Sequence, residues 1–580
     1  MTMKKKQMRV KLLLASLLLG GFLVTGCTNN DYDFDQIDAT MGFGGDGLEI
    51  PASSTMDIPL KDVLELEANG CVVEDEVSHD YVFRQNGEAI DPVHPNIDKI
   101  FITENLSNSS DITLGFSSSS SKGTRAGSGA LEGEGDIFSF EYMGDKPAEV
   151  VSLSHATVNC QVELDVDLLG ISTWTSQLDK VVLTFPSYME IKSSQGTLSG
   201  HVLTLTDVPT NQIYKLRVQI VGLDFTKGSA SGLTVDSKVK MSGKIHMLAQ
   251  ASQITAGTGT SARISNHLNM GTVVVESAKG KFNPTIDLNK LGKVSITGVP
   301  EFLRGGNVKV DLYNPVIKLL VGNDMDIEGQ INGVLKSFKD GQQTASVNVD
   351  DITIGANQTT TVYICRRAEG VPTGNGVVVK VVPNLSDIIK TIPDEITFDA
   401  NACANKDKEG TFLLGHSYTI APSYSVEAPI AFDEGAVIEY SDDFDGWNDD
   451  IDDLELSEGT YVSLTANALN KVPATLVVEA SPLGVGGSDI SNLIEVNIKQ
   501  GTVKASPDGV TAESSPLEIE IREKVRGGLK KLDGLSYKVL GKATHDGSTV
   551  TGVTLNAEKH TLKLENIKIK LVGKVIGDFN

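Results

Sequence analysis

The sequence predicts an all-β protein with little helix. Strict two-residue alternation is the first reason. Val158, Cys160, Val162, Leu164, Val166 and Leu168 alternate with Asn159, Gln161, Glu163, Asp165 and Asp167. Tyr214, Leu216, Val218 and Ile220 do the same against Lys215, Arg217 and Gln219, as do Val239, Met241, Ile245 and Met247 against lysines and His246. Such runs are strands with one buried and one wet face. Second, Pro and Gly punctuate the runs at turn spacing, and helical periodicity is scarce. One short helix is expected at Ser386–Lys390, with Ser386 as its cap and Pro393 beyond it.

The chain opens with Lys4, Lys5, Lys6, Arg9 and Lys11, followed by an uncharged, Leu-rich run from Leu12 to Val24. That run is too short to span a bilayer and fits the core of a signal peptide. It ends Leu23-Val24-Thr25-Gly26-Cys27, which resembles the lipobox of bacterial lipoproteins. The resemblance implies a signal peptide over 1–26, cleavage before Cys27, and acylation of Cys27 as the membrane anchor. Each buried methylene of such an anchor contributes about 0.8 kcal/mol. Asp31, Asp33, Asp35 and Asp38 follow, in a segment similar to the acidic export signal of surface lipoproteins in Bacteroidota. The expected location is therefore the outer membrane, lipid-anchored and facing the exterior; the competing placement faces the periplasm. Residues 27–47 read as an acidic, Gly-rich tether.

Cleavage would leave 45 basic against 76 acidic side chains, a net charge of −31. That excess argues against nucleic acid as a partner. Cys71, Cys160, Cys365 and Cys403 remain, and four cysteines allow three pairings. Cys160 shares the apolar face of its strand and reads as a core residue.

Three sandwich domains, immunoglobulin-like, tandem and elongated, are expected at 48–228, 229–385 and 386–580. A strand, Asn-turn, strand pattern recurs near Val151, Val308 and Val462, at spacings of about 155 residues. The Ser-rich stretch 107–135, with Ser117 to Ser121 in a row, reads as a disordered loop in which Arg125 is a candidate processing site.

Ser441 to Asp453 holds seven carboxylates in thirteen residues. Asp443, Asp445, Asp449 and Asp452 fall near the ligand spacing of a calcium loop, with Gly446 at the turn. Ser441 at the first ligand position and Asp452 in place of a longer Glu depart from the EF-hand pattern. A solvated acidic hairpin is the plainer reading. Calcium is the only cofactor the sequence raises. Trp447 in this polar loop is the candidate sugar-stacking residue. In residues 522–574, twelve basic side chains stand against five acids; an anionic partner is one reading of this stretch with Lys568 and Lys570, and the plainer one is an edge strand guarded by lysine or a face docked on the protein's own acidic surface.

No GxSxG, HExxH or Walker motif occurs, and no two of the nine histidines lie within four residues of each other. The expectation is a non-catalytic, lipid-anchored envelope protein with a binding, adhesion or accessory role toward a glycan or cell-surface partner. One alternative is an exported polysaccharide hydrolase using two carboxylates. Another is a fimbria-related subunit matured at Arg125.

Overall fold

The computed structural model describes residues 41–577, except 44–47, 52–53, 104–106, 119–128, 253, 255–260, 289–292, 449–453, 457–458 and 574. The protein is all-β: the strands are joined by turns and short 3₁₀ segments. Among the described residues, strand pairing is antiparallel except where Val377–Val381 runs parallel to Gln358–Cys365. The alternating runs form the strands Val150–Asp167, Ile213–Asp224 and Lys238–Ala251, all in one fourteen-stranded sheet. Their apolar sides are buried: Cys160, Leu164, Leu216, Val218, Ile245 and Met247 all lie in the core. The four cysteines from Cys71 onward are unpaired.

The sheets group into three units, and the chain visits them in a nested order. It begins in an outer unit, where Leu48–Pro51 and Ile58–Pro59 pair with Thr561–Val572. It passes to a middle unit, where Tyr81–Asn86 pairs with Ile420–Pro429. It then builds the inner unit, the fourteen-stranded sheet, from residues 100–282. After that it returns to complete the middle unit with a six-stranded and a four-stranded sheet, and finally the outer unit with sheets of six and five strands. Gly410–Leu413 pairs with Val273–Phe282 and ties the middle unit to the inner one. Bridges Asp80↔Asn556 and Ala431↔Thr554 tie the middle unit to the outer one.

The boundaries expected at 228 and 385 therefore fall inside units. The strands on either side of residue 228 belong to the same sheet, and Leu385 lies in a 3₁₀ turn between two strands of the middle unit. Strands laid down on the outward pass, Leu48–Pro51 and Tyr81–Asn86, gain partners from segments that return hundreds of residues later, Thr561–Val572 and Ile420–Pro429.

Four local expectations are corrected. The stretch 107–135 is mostly sheet: Ser107–Ser118 and Gly129–Asp145 are strands with Ile112, Leu114 and Leu131 buried. Arg125 lies outside the described residues. The helix at 386–390 is a 3₁₀ turn, Leu385–Ile388, with Asn384 at its cap and Ser386 buried inside it. Asn159 makes no turn, because Val150–Asp167 runs straight through it. Lys568 and Lys570 sit on an interior strand, with Leu48–Pro51 on one side and Tyr461–Asn470 on the other.

Candidate functional site

The structure describes the acidic loop only as far as Asn448 and again from Leu454. Ser441, Asp442 and Asp443 continue the strand Val437–Phe444 and pair with Lys538, Tyr537 and Ser536. Asp443 and Asp445 are solvent-exposed, whereas Asp449 and Asp452 lie outside the described residues. Among the described residues, no group of three or more His, Cys, Asp or Glu is placed to hold a metal ion.

Trp447 is turned inward, with 5% of its surface exposed, among Leu464, Ile490, Ile494, Ile521, Leu529 and Leu535. A buried ring has no face to offer a sugar. Its loop is held from 87 residues away: the Asp533 carboxylate accepts the backbone N–H groups of Gly446 and Asn448, each at 3.1 Å. The Trp447 backbone N–H donates to the Asp533 backbone carbonyl at 2.8 Å. One acceptor side chain thus sets the loop so that the indole closes one end of the outer sandwich.

Beside that closed end lies the feature that sequence reasoning missed. Between the two sheets of the outer unit is a cavity of about 270 Å³. One wall comes from Leu464 and Ala468, Leu517 and Ile519, and Leu562 and Leu564. The facing wall comes from Leu476, Val478 and Ala480, from Leu535, Tyr537, Val539 and Gly541, and from Ile438 and Tyr440. Each set takes alternate positions of its strand, as residues facing one side must. The void follows from small side chains where facing sheets usually interdigitate larger ones. Ala468 and Ala480 leave the gap, whereas Gly541 is required by crowding, since a Cβ there would come within 2.8 Å of Ile438 Cγ1.

Burial tells the same story. Inward-facing Leu476, Val478, Leu517 and Ile519 are only half-buried, whereas their counterparts in the inner unit are fully buried. The core of the outer unit is also split into two clusters, one around Trp447 and Leu535 and one around Ala468 and Val503. Protein interiors are normally packed with few voids larger than a water molecule. At about 24 cal/mol per Å³, an empty apolar cavity of this size costs about 6 kcal/mol. That is on the order of the net stability of a whole domain.

Two phenols stand in the lining. The rings of Tyr440 and Tyr537 lie 6.2 Å apart, and the Tyr440 hydroxyl donates at 3.5 Å to Asp442, which is not itself a lining residue. Burial pushes both phenols above their ordinary range, so both keep their protons at neutral pH. Glu439 reaches the lining too, but its carboxylate is turned to Lys538 at 3.5 Å and to the Asn307 amide at 3.0 Å.

The most buried carboxylates elsewhere are structural. Arg366 Nη1 lies 2.9 Å from Asp311 and 2.8 Å from Asp433, and Arg367 is 2.6 Å from Asp433 with its guanidinium over the Tyr313 ring. Burial works to raise Asp433, but the hydrogen bond from Arg367 and the charges of both arginines outweigh it and hold the carboxyl below its ordinary range. A carboxylate bound in this way is not available as a general acid.

No protein-family model and no curated protein matches the chain. A solved structure described as a "putative secreted protein" from Parabacteroides distasonis aligns at 12% identity and a TM-score of 0.35, over 51% of this chain and 90% of its own. The T13 IBDV viral particle aligns at 9% identity and a TM-score of 0.09, over 84% and 79% of the two chains.

Proposed function

We propose that the chain is a non-catalytic, lipid-anchored protein of the cell envelope that binds an apolar ligand in its outer unit. The cavity carries this reading. It lies in the unit that holds both ends of the described chain, it is lined almost wholly by aliphatic side chains, and leaving it empty is costly. The lipobox-like stretch ending at Cys27 supports the anchor, and the acidic run Asp31 to Asp38 supports outward display on the outer membrane. The glycan reading loses its main support with Trp447 buried.

Two measurements test the proposal. Native mass spectrometry of the full chain, purified from its own envelope, is expected to show a non-covalent adduct released by organic solvent. Recovery of adduct-free protein that also takes up no apolar dye would refute the binding role. Protease added to intact cells is expected to remove the protein; protection until lysis would place it facing the periplasm.

A further inference from the structure

Resting on that binding role, we infer that the cavity takes a straight acyl chain that arrives ester- or amide-linked in a lipid, and that it discriminates against the free fatty-acid anion. Shape gives the first argument. The space lies between two packed sheets, whose backbones stand about 10 Å apart, and side chains enter from both walls. What remains is a thin slab, which suits a single extended chain better than a rigid fused-ring system. Size agrees: an apolar cavity of about 150 Å³ already binds benzene, and this one is nearly twice as large.

Charge gives the second argument. No Lys, Arg or His is among the residues lining the cavity. Lys538, next to Tyr537, points to the opposite face of its strand and is paired with Glu439. Nor do the lining side chains turn polar groups into the space: they are mostly aliphatic, and the carboxylate of the one lining acid, Glu439, is turned to Lys538 and Asn307. A fatty-acid carboxylate there would be stripped of water with no cation to offset its charge. A neutral ester or amide carbonyl costs far less to desolvate.

The same chemistry is available from two sources. One is a separate membrane lipid. The other is the acyl group expected on Cys27, which lies 28 residues before the cavity-lining Thr55 and so within a reach of about 90–100 Å of extended chain.

The test uses displacement of the apolar dye N-phenyl-1-naphthylamine from the full-length protein at pH 8. Palmitoyl-lysophosphatidylcholine, palmitate and cholesterol serve as competitors, each below its aggregation threshold. Lysophospholipid is expected to displace the dye at least tenfold more tightly than palmitate, and cholesterol weakly. Equal or tighter displacement by palmitate, or preference for the sterol, would overturn the inference while leaving the binding role standing. Dye binding to neither the native protein nor Cys27→Ala would sink both. Dye that is excluded from the native lipoprotein but admitted by Cys27→Ala assigns the occupant to the chain's own lipid. Equal uptake by the two, with extractable lipid on both, assigns it to a separate one. Ala468→Phe is expected to abolish uptake without lowering the melting temperature, and Ala480→Leu provides the same control should the larger ring not be accommodated.

Discussion

Asn323 and Asn470 close the same kind of turn in two different units. Each ends a strand, Val316–Asn323 in the middle unit and Tyr461–Asn470 in the outer one, and each is almost completely buried. Each side-chain oxygen accepts the backbone N–H two residues on, from Met325 at 3.1 Å and Val472 at 2.8 Å. Each amide donates to the carbonyl four residues on, Ile327 at 3.0 Å and Ala474 at 3.2 Å. Each also donates to a third segment, at Gly355 and Lys504. The chain reuses one device, in which a single buried amide satisfies several turn groups that would otherwise lie unpaired.

The first prediction follows from that accounting. Asn470→Ala removes the partners of one buried N–H and three carbonyls, and the expected loss is about 2–4 kcal/mol. Asn470→Asp keeps the acceptor but removes the donor and places a charge in the core, so it is expected to be at least as damaging. Because the units are distinct, amide exchange should accelerate in strands 461–484 and much less in the inner unit. Uniform acceleration throughout would show that the units do not unfold separately.

His560 makes the outer unit acid-sensitive. Its Nδ1 accepts the Asn556 N–H at 3.1 Å, and its ring packs where Gly509 has no side chain. Burial lowers its pKa from 6.5 to about 4. With the folded value below the unfolded one, the unfolded chain takes up the proton first, so stability falls as pH drops from about 6.5 to about 4. A difference of about 2.5 units amounts to about 3 kcal/mol. Asp508, lowered to about 2, acts in a different window, below its ordinary value of 3.8. Denaturant unfolding between pH 7 and 4.5 is expected to show the His560 loss. His560→Leu should start less stable at pH 7 and lose little through this window; an equal fall in both proteins would assign the effect to other groups.

What the sequence makes legible is local, and what it hides is long-range. Alternation located the Cys160 and Met241 strands, because a half-buried strand writes its two faces into neighbouring residues. The repeat read near Val308 and Val462 does not hold as read: Lys309 and Leu312 make only isolated bridges, and the turn like that at Asn470 lies beyond the pattern at Asn323, which hydrogen bonds rather than spacing reveal. Nesting was not legible, since Ile58 finds Leu562 some five hundred residues away. The Trp447 loop looked solvated because Asp533, which turns it inward, stands 87 residues downstream. The cavity left the faintest trace. Ala468 and Ala480 are ordinary strand residues until two sheets bring their small side chains into one space.

The Arg366 network is expected to hold the middle and outer units in register. Asp433 lies in the connection between strands Ile420–Pro429 and Val437–Phe444, one in each unit, and Arg366 bridges it to Asp311. Arg366→Met leaves two buried carboxylates without that guanidinium, at an expected cost of about 3–5 kcal/mol. Limited proteolysis should then cut within 430–436 before either unit unfolds. Combining Arg366→Met with Asp311→Leu and Asp433→Leu is expected to recover much of the loss, because uncompensated charge, rather than a missing attraction, is what destabilises the single variant.

Asn266 is a site where the native residue is expected to be the less stable choice. It is 1% exposed and lies between Ile264 and Leu268 on the core face of Ser261–Met270, with Val166 directly across. Neither its amide oxygen nor its amide nitrogen has a hydrogen-bond partner among the described residues. An unpaired buried amide costs about 1–3 kcal/mol. Asn266→Leu, similar in volume, should recover part of that and raise the melting temperature of the inner unit. The relevant readout is the unfolding of that unit, followed by exchange of the Val150–Asp167 amides. A lower melting temperature for the leucine variant would mean that the amide serves a bound water or ligand in the native protein. The inner unit would then hold a polar site of its own, in contrast to the apolar one in the outer unit.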